Sequence, residues 1–177
     1  MEPDVQSAHS RIEVGMDQGL TAEAYRLQIE QICDEMDNQL LWLESHLHGQ
    51  QLKERIMVLN GWMSHFNELY DRARLKAERQ KVITDKIRSL AIREMRSSLE
   101  SPPVTLNKEL AETEEVQVAP GAPMTTLSAE RDKYEIYDYA AARFKTKFMC
   151  IKHTIMSCQS GLNLDRAEMT TSHTAHQ

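Results

Sequence analysis

Nine bases crowd one stretch of this chain, Arg72, Arg74, Lys76, Arg79, Lys81, Lys86, Arg88, Arg93 and Arg96, opposed only by Glu78, Asp85 and Glu94. In a protein whose net charge is −6, such a stretch is a candidate for neutralising a phosphate backbone. On a helix Arg72, Lys76 and Arg79 share a face. The same mixture of charges also suits the solvated surface of a rod, and both readings stand at this point. A smaller patch, Arg143, Lys145, Lys147 and Lys152, is interleaved with Phe144 and Phe148. Aromatic rings beside bases can stack nucleobases, but both phenylalanines lie on an apolar stripe and are read as core. Of Tyr134, Tyr137 and Tyr139, one is expected to face solvent as a stacking platform.

Other chemistry finds little footing. His46 and His48 are two apart and point to different faces of a helix, while His65 and His153 are isolated and read as surface residues. There is no HxxxH pair and no cysteine pair with ligand spacing, so neither metal nor cofactor is expected. Asp34, Glu35 and Asp37 fall on an exposed acidic helix face with no base or nucleophile beside them. P-loop, GxGxxG and GxSxG motifs are missing, and the chain is read as a non-enzyme.

The elements that must position the basic stretch are helices. Apolar residues fall in long stripes with steps of three and four, and Gly (6) and Pro (5) are scarce, which gives an all-α expectation. A first helix starts at Thr21 as N-cap and carries Tyr25, Ile29, Ile32, Met36, Leu40, Leu43 and Leu47 to about His48, where Gly49 offers a left-handed stop. A second has the heptad series Leu52, Ile56, Leu59, Met63, Phe66, Tyr70, Ala73 and Ala77. Beyond it the phase shifts to a weaker stripe on Ile83, Ile87, Leu90 and Met95. A last helix begins at Ser128 and carries Tyr134, Tyr137, Ala141, Phe144, Phe148, Ile151, Ile155 and Cys158 to a stop at Gly161. Trp42 and Trp62 are packing anchors.

The organisation follows. Residues 1–19 form a mobile acidic arm. Residues 20–100 form a long-helix hairpin or coiled coil with a basic distal half. Residues 101–126, with Pro102, Pro103, Pro120 and Pro123 around an acidic cluster, form a linker that needs no packed element. Residues 127–165 hold the C-terminal helix and a docking turn, and 166–177 a disordered tail. Charge alternates along the chain: 1–50 carries two bases against ten acids and 51–100 eleven against seven. With few aromatics and ten methionines, a compact core is hard to build unless chains share it, so a homo-oligomer is expected. Leu52, Ile56, Leu59, Met63, Phe66, Tyr70, Phe144, Phe148, Ile151 and Ile155 are its candidate interface. Three cysteines without paired spacing and the absence of any long apolar run argue for the cytoplasm, with no membrane span.

Two segments resemble the UvsY-type recombination mediator family of T4-like bacteriophages. Leu75-Lys76-Ala77-Glu78-Arg79 approximates its basic motif, and Leu127-Ser128-Ala129-Glu130-Arg131-Asp132 the start of its C-terminal helix, with Gly161, Leu162 and Leu164 at a suitable distance for its closing turn. Glu78 interrupts the first motif, and a tyrosine pair expected after it is missing. The resemblance implies an oligomeric accessory protein in the host cytoplasm that binds single-stranded DNA and helps load a recombinase onto strands coated by single-strand-binding protein. Arg72, Arg74, Lys76, Arg79, Lys81, Lys86 and Arg88 would hold phosphates. The alternative is a coiled-coil structural or assembly protein, such as a virion component, scaffold or tether, without nucleic-acid binding.

Overall fold

The computed structural model describes residues 21–41, 48–98 and 111–174, without the side chains of 39–41 and 170–174. The expected acidic arm, Trp42 and the helix end at Leu43 and Leu47 lie outside these residues. Three helices dominate: α1 (Ala22–Leu41), α2 (Gln50–Ser98) and α3 (Leu127–Thr174), with a two-residue strand pair, β1 (Val116–Gln117) and β2 (Met124–Thr125), before α3. The protein is mostly helical, as its periodicity requires. No described helix is long and apolar enough to cross a membrane.

Local chemistry explains most of the boundaries. The Ala24 amide donates to Thr21 Oγ1 at 3.3 Å, so Thr21 caps α1. Gly49, at φ +53°, sits at the entry of α2, where its carbonyl accepts from Lys53 N and its amide donates to Asp165 Oδ2 at 2.9 Å. The cap of α3 is Thr126 rather than Ser128, since the Ala129 amide donates to Thr126 Oγ1 at 3.2 Å. Leu127, only 2 % exposed, is thereby drawn into the helix and the core.

The chain divides into two compact units, Met1–Asp71 with Ala142–Gln177, and Arg72–Ala141, and α2 and α3 contribute to both. In the first unit Phe66 packs on Phe144, with ring centroids 6.1 Å apart, and Leu52 meets Gly161. The proximal part of α2 therefore lies antiparallel to the distal part of α3. Helix α1 is tied to α3 by two ion pairs, Glu30 with Arg143 and Asp37 with Lys147. Its buried stripe is Tyr25, Ile29, Ile32, Cys33 and Met36. Asp37 is thus half-buried and engaged, where an exposed acidic face was expected. His65 is buried against Trp62 and Phe66, which corrects its reading as a surface histidine.

In the second unit the stripe on α2 runs without a change of phase through Ala73, Ala77, Gln80, Thr84, Ile87, Ala91 and Met95. The expected shift is not there: Ile83 is 37 % exposed, and two polar residues occupy the seam instead. Ile87, Ala91 and Met95 form a core with Ala111, Val116 and Leu127. The linker reading needs correction over its described part. Residues 111–113 are helical, and Val116 pairs with Thr125 and Gln117 with Met124 in an antiparallel hairpin. Ala119-Pro120-Gly121-Ala122 closes it: Gly121 has φ +82°, and the Ala122 amide donates to the Ala119 carbonyl at 3.0 Å, the pattern of a type II turn.

Helix α3 also passes through Gly161 and continues to Thr174, where a stop, a docking turn and a disordered tail were expected. An interior glycine costs a helix about 1 kcal/mol relative to alanine, which packing on both sides of the site absorbs. A Cβ on Gly161 would stand 3.4 Å from Leu52 Cδ1, an ordinary contact with the end of a flexible side chain. Gly161→Ala is therefore expected to raise stability by up to about 1 kcal/mol in urea denaturation. A drop in stability would show that Leu52 has no room to yield.

Candidate nucleic-acid interface

The buried seam of α2 sets where its bases point. Residues three and four apart share a helix face, so Arg72, Lys76, Arg79, Lys86 and Arg93 fall along one flank of the seam. Arg74, Lys81 and Arg88, seven apart, fall along the other. Lys76 is half-buried at the edge of the seam, and the remaining bases of both rows are largely exposed.

The flanks differ in what accompanies them. Glu78 and Asp85 lie on the second, where Arg74 Nη1 meets Glu78 Oε1 at 2.8 Å and Arg88 Nη1 meets Asp85 Oδ1 at 3.1 Å. On the first flank, α2 itself places no acid between Arg72 and Lys86. Arg93 has Glu94 at 3.9 Å. The first flank is thus a concentrated row of positive charge, about 30 Å from Arg72 to Arg93 at 1.5 Å per residue. Exposed Leu75, Val82 and Ile83 interrupt the bases. Of the seven residues read from sequence as phosphate ligands, the geometry groups Arg72, Lys76, Arg79 and Lys86. It sets Arg74, Lys81 and Arg88 apart in a charge-balanced row.

The second basic patch is divided between two flanks of α3, with Arg143 and Lys147 engaged in ion pairs and Lys145 and Lys152 exposed. Arg143 Nε donates to Glu30 Oε1 at 2.7 Å, and Lys147, 8 % exposed, is bonded to Asp37. Lys145 stands over the Tyr70 ring at 6.0 Å, and Lys152 is exposed. Phe144 is buried and Phe148 half-buried, consistent with packing. Tyr134, Tyr137 and Tyr139 are all half-buried, so the open stacking platform expected among them is not found.

Cys33 lies between the two ion pairs of α1 and α3. Burial pushes its thiol up to about 11, against the lowering effect of Lys147 and Arg143, so it is neutral at pH 7. No cluster of His, Cys, Asp or Glu among the described residues could hold a metal ion.

Beneath the basic row is a polar cluster that the periodicity conceals. Glu130, Gln80 and Thr84 are each under a tenth exposed. Gln80 Nε2 donates to Glu130 Oε2 at 2.5 Å and lies 3.3 Å from its carbonyl, while Thr125 Oγ1 and Lys133 Nζ donate to Oε1 at 2.8 and 2.6 Å. Thr84 Oγ1 is 3.2 Å from the same Glu130 carbonyl. Each donor meets an acceptor, so the cluster carries no open desolvation penalty and fixes how this part of α3 sits on α2. The signal was present in the three-four series from Ala77 through Gln80 and Thr84 to Ile87, at positions whose polarity hides them from an apolar count.

No protein-family model, curated protein or solved structure matches the chain.

Two outcomes follow from these surroundings. Under native conditions a thiol reagent is expected to label exposed Cys150 first, with buried Cys33 and Cys158 reacting only on unfolding; equal rates for all three in mass spectrometry would contradict the packing. For Glu130, burial raises the carboxyl, but hydrogen bonds from Lys133, Thr125 and Gln80 and the Lys133 charge together hold it below its ordinary 4.5. A carboxyl lowered by folding adds stability that is complete above its unfolded value and is lost as pH falls through the folded one. The urea midpoint should fall below about pH 5, and Glu130→Gln should be less stable at pH 7 but show a shallower acid fall.

Proposed function

We propose that the chain is a non-enzymatic accessory protein that binds single-stranded nucleic acid through the first flank of α2. The observation that carries this reading is the row Arg72, Lys76, Arg79 and Lys86, along which α2 places no acid on the same flank between the first base and the last, in a protein of net charge −6. Like charges three and four residues apart repel one another, and a polyanion laid along the row relieves that repulsion. Exposed Leu75, Val82 and Ile83 between them offer apolar contact to unstacked bases, which single strands present and duplexes do not. The mechanism is electrostatic, with counterion release supplying affinity and no bond made or broken. Loading of a recombinase onto strands coated by single-strand-binding protein, in the cytoplasm of an infected cell, is the form this takes if the mediator resemblance holds.

A second reading keeps the same face for protein. Three exposed aliphatic side chains within one basic row also suit a scaffold or virion component whose rod is covered on assembly. Fluorescence anisotropy with a labelled oligonucleotide separates the two. Binding should weaken linearly in log salt, and Arg79→Ala with Lys86→Ala should reduce the slope by roughly 1.4, about 0.7 for each single-strand phosphate that is no longer neutralised. Absence of binding at low salt, or an unchanged slope, would leave the scaffold reading.

A further inference from the structure

In the first unit, Ile56, Met63 and Tyr70 recur at seven-residue steps on α2, and Lys145, Lys152, Gln159 and Arg166 at seven-residue steps on α3. The two rows meet. Lys145 stands over Tyr70 at one end, and at the other Ile56, Gln159 and Arg166 line a shared groove of about 400 Å³. Ile56, Met63 and Tyr70 are half-buried, whereas Leu52, Leu59 and Phe66 are already buried within the unit. The heptad on α2 therefore has two edges, one consumed by the chain's own core and one left part-covered beside a row of cations. Met149, 38 % exposed, and Met156, 55 % exposed, extend the apolar surface outward.

Helix α1 does not occupy this face. It is bound through Arg143 and Lys147, which lie on the opposite side of α3 from Lys145 and Lys152. Its own outward face holds exposed Glu23 and Asp34 with Leu27 between them, 59 % exposed. One surface of the unit is thus apolar and basic, and another is acidic with an apolar centre. They match in charge and character, and the described residues of a single chain leave both outward.

We infer that the α2–α3 face of one copy is the docking site for the outer face of α1 of a second copy. Leu27 covers the Met63, Tyr70 and Met149 region, and Glu23 and Asp34 approach Lys145 and Lys152. Because the two surfaces differ, the contact is head-to-tail and either closes into a ring or extends. The bases of distal α2 take no part, so this inference stands apart from the nucleic-acid reading.

Sedimentation velocity of the full chain across concentration and salt tests it. The wild type should associate, more weakly as salt rises. Lys145→Glu with Lys152→Glu should weaken association at least tenfold, as should Glu23→Lys with Asp34→Lys, and the chain carrying all four should regain it. Far-UV circular dichroism reports whether each variant keeps its helices, and Lys145→Gln with Lys152→Gln replaces the reversal if it does not. A monomeric wild type, a mass unaffected by the substitutions, or no recovery in the fourfold variant would overturn the inference. So would loss of oligonucleotide binding by Lys145→Glu with Lys152→Glu at unchanged mass, which would make nucleic acid the occupant.

Discussion

In each of the two units a length of α2 exposes a seam whose burial stabilises it as helix, and in each it is a length of α3 that covers that seam. The two run antiparallel where Phe66 meets Phe144 and Leu52 meets Gly161. Where Gln80 and Thr84 meet Glu130 the seam changes from apolar to polar. Everything else takes its place from this pairing. Ion pairs dock α1 on α3, and the hairpin brings Val116 against Ile87, Ala91 and Met95.

The change in seam chemistry has a physical consequence. An apolar seam of small and medium side chains tolerates some slippage, whereas a buried carboxylate with three donors fits one register. Glu130 therefore specifies alignment more than it adds cohesion, and it does so next to the bases whose direction depends on that alignment. The candidate interface is in this sense a product of the core: the seam through Ala73, Ala77, Gln80 and Thr84 turns Arg72, Lys76, Arg79 and Lys86 to one side and leaves the acid-balanced bases on the other.

Burial also redistributes the residues that heptad spacing alone would assign to an interface between chains. Leu52, Leu59, Phe66, Phe144, Ile151 and Ile155 are enclosed within the first unit, and Ile56, Met63, Tyr70 and Phe148 remain half-covered. A shortage of aromatic side chains does not prevent a local core when one long helix can share its seam between α3 and the hairpin. It does leave a second edge available.

Periodicity was enough to establish the helical class, the cap at Thr21, the left-handed Gly49 and most of the α2 seam, because three-four spacing and capping are local properties written within a few residues of one another. The clustering of bases on α2 was equally legible. Tertiary structure alone decided which helix faces α2, that Arg143 and Lys147 are consumed by Glu30 and Asp37, that Gly161 is interior, and that Gln80 and Thr84 belong to the core. Each of these depends on a partner tens of residues away, and a polar or glycine residue gives no sign in its own neighbourhood that a distant side chain will satisfy it or fill its space. The Ala119-Pro120-Gly121-Ala122 turn lies between the two cases. Its chemistry is local, but two short strands needed Ile87 and Leu127 behind them before the turn could become a hairpin.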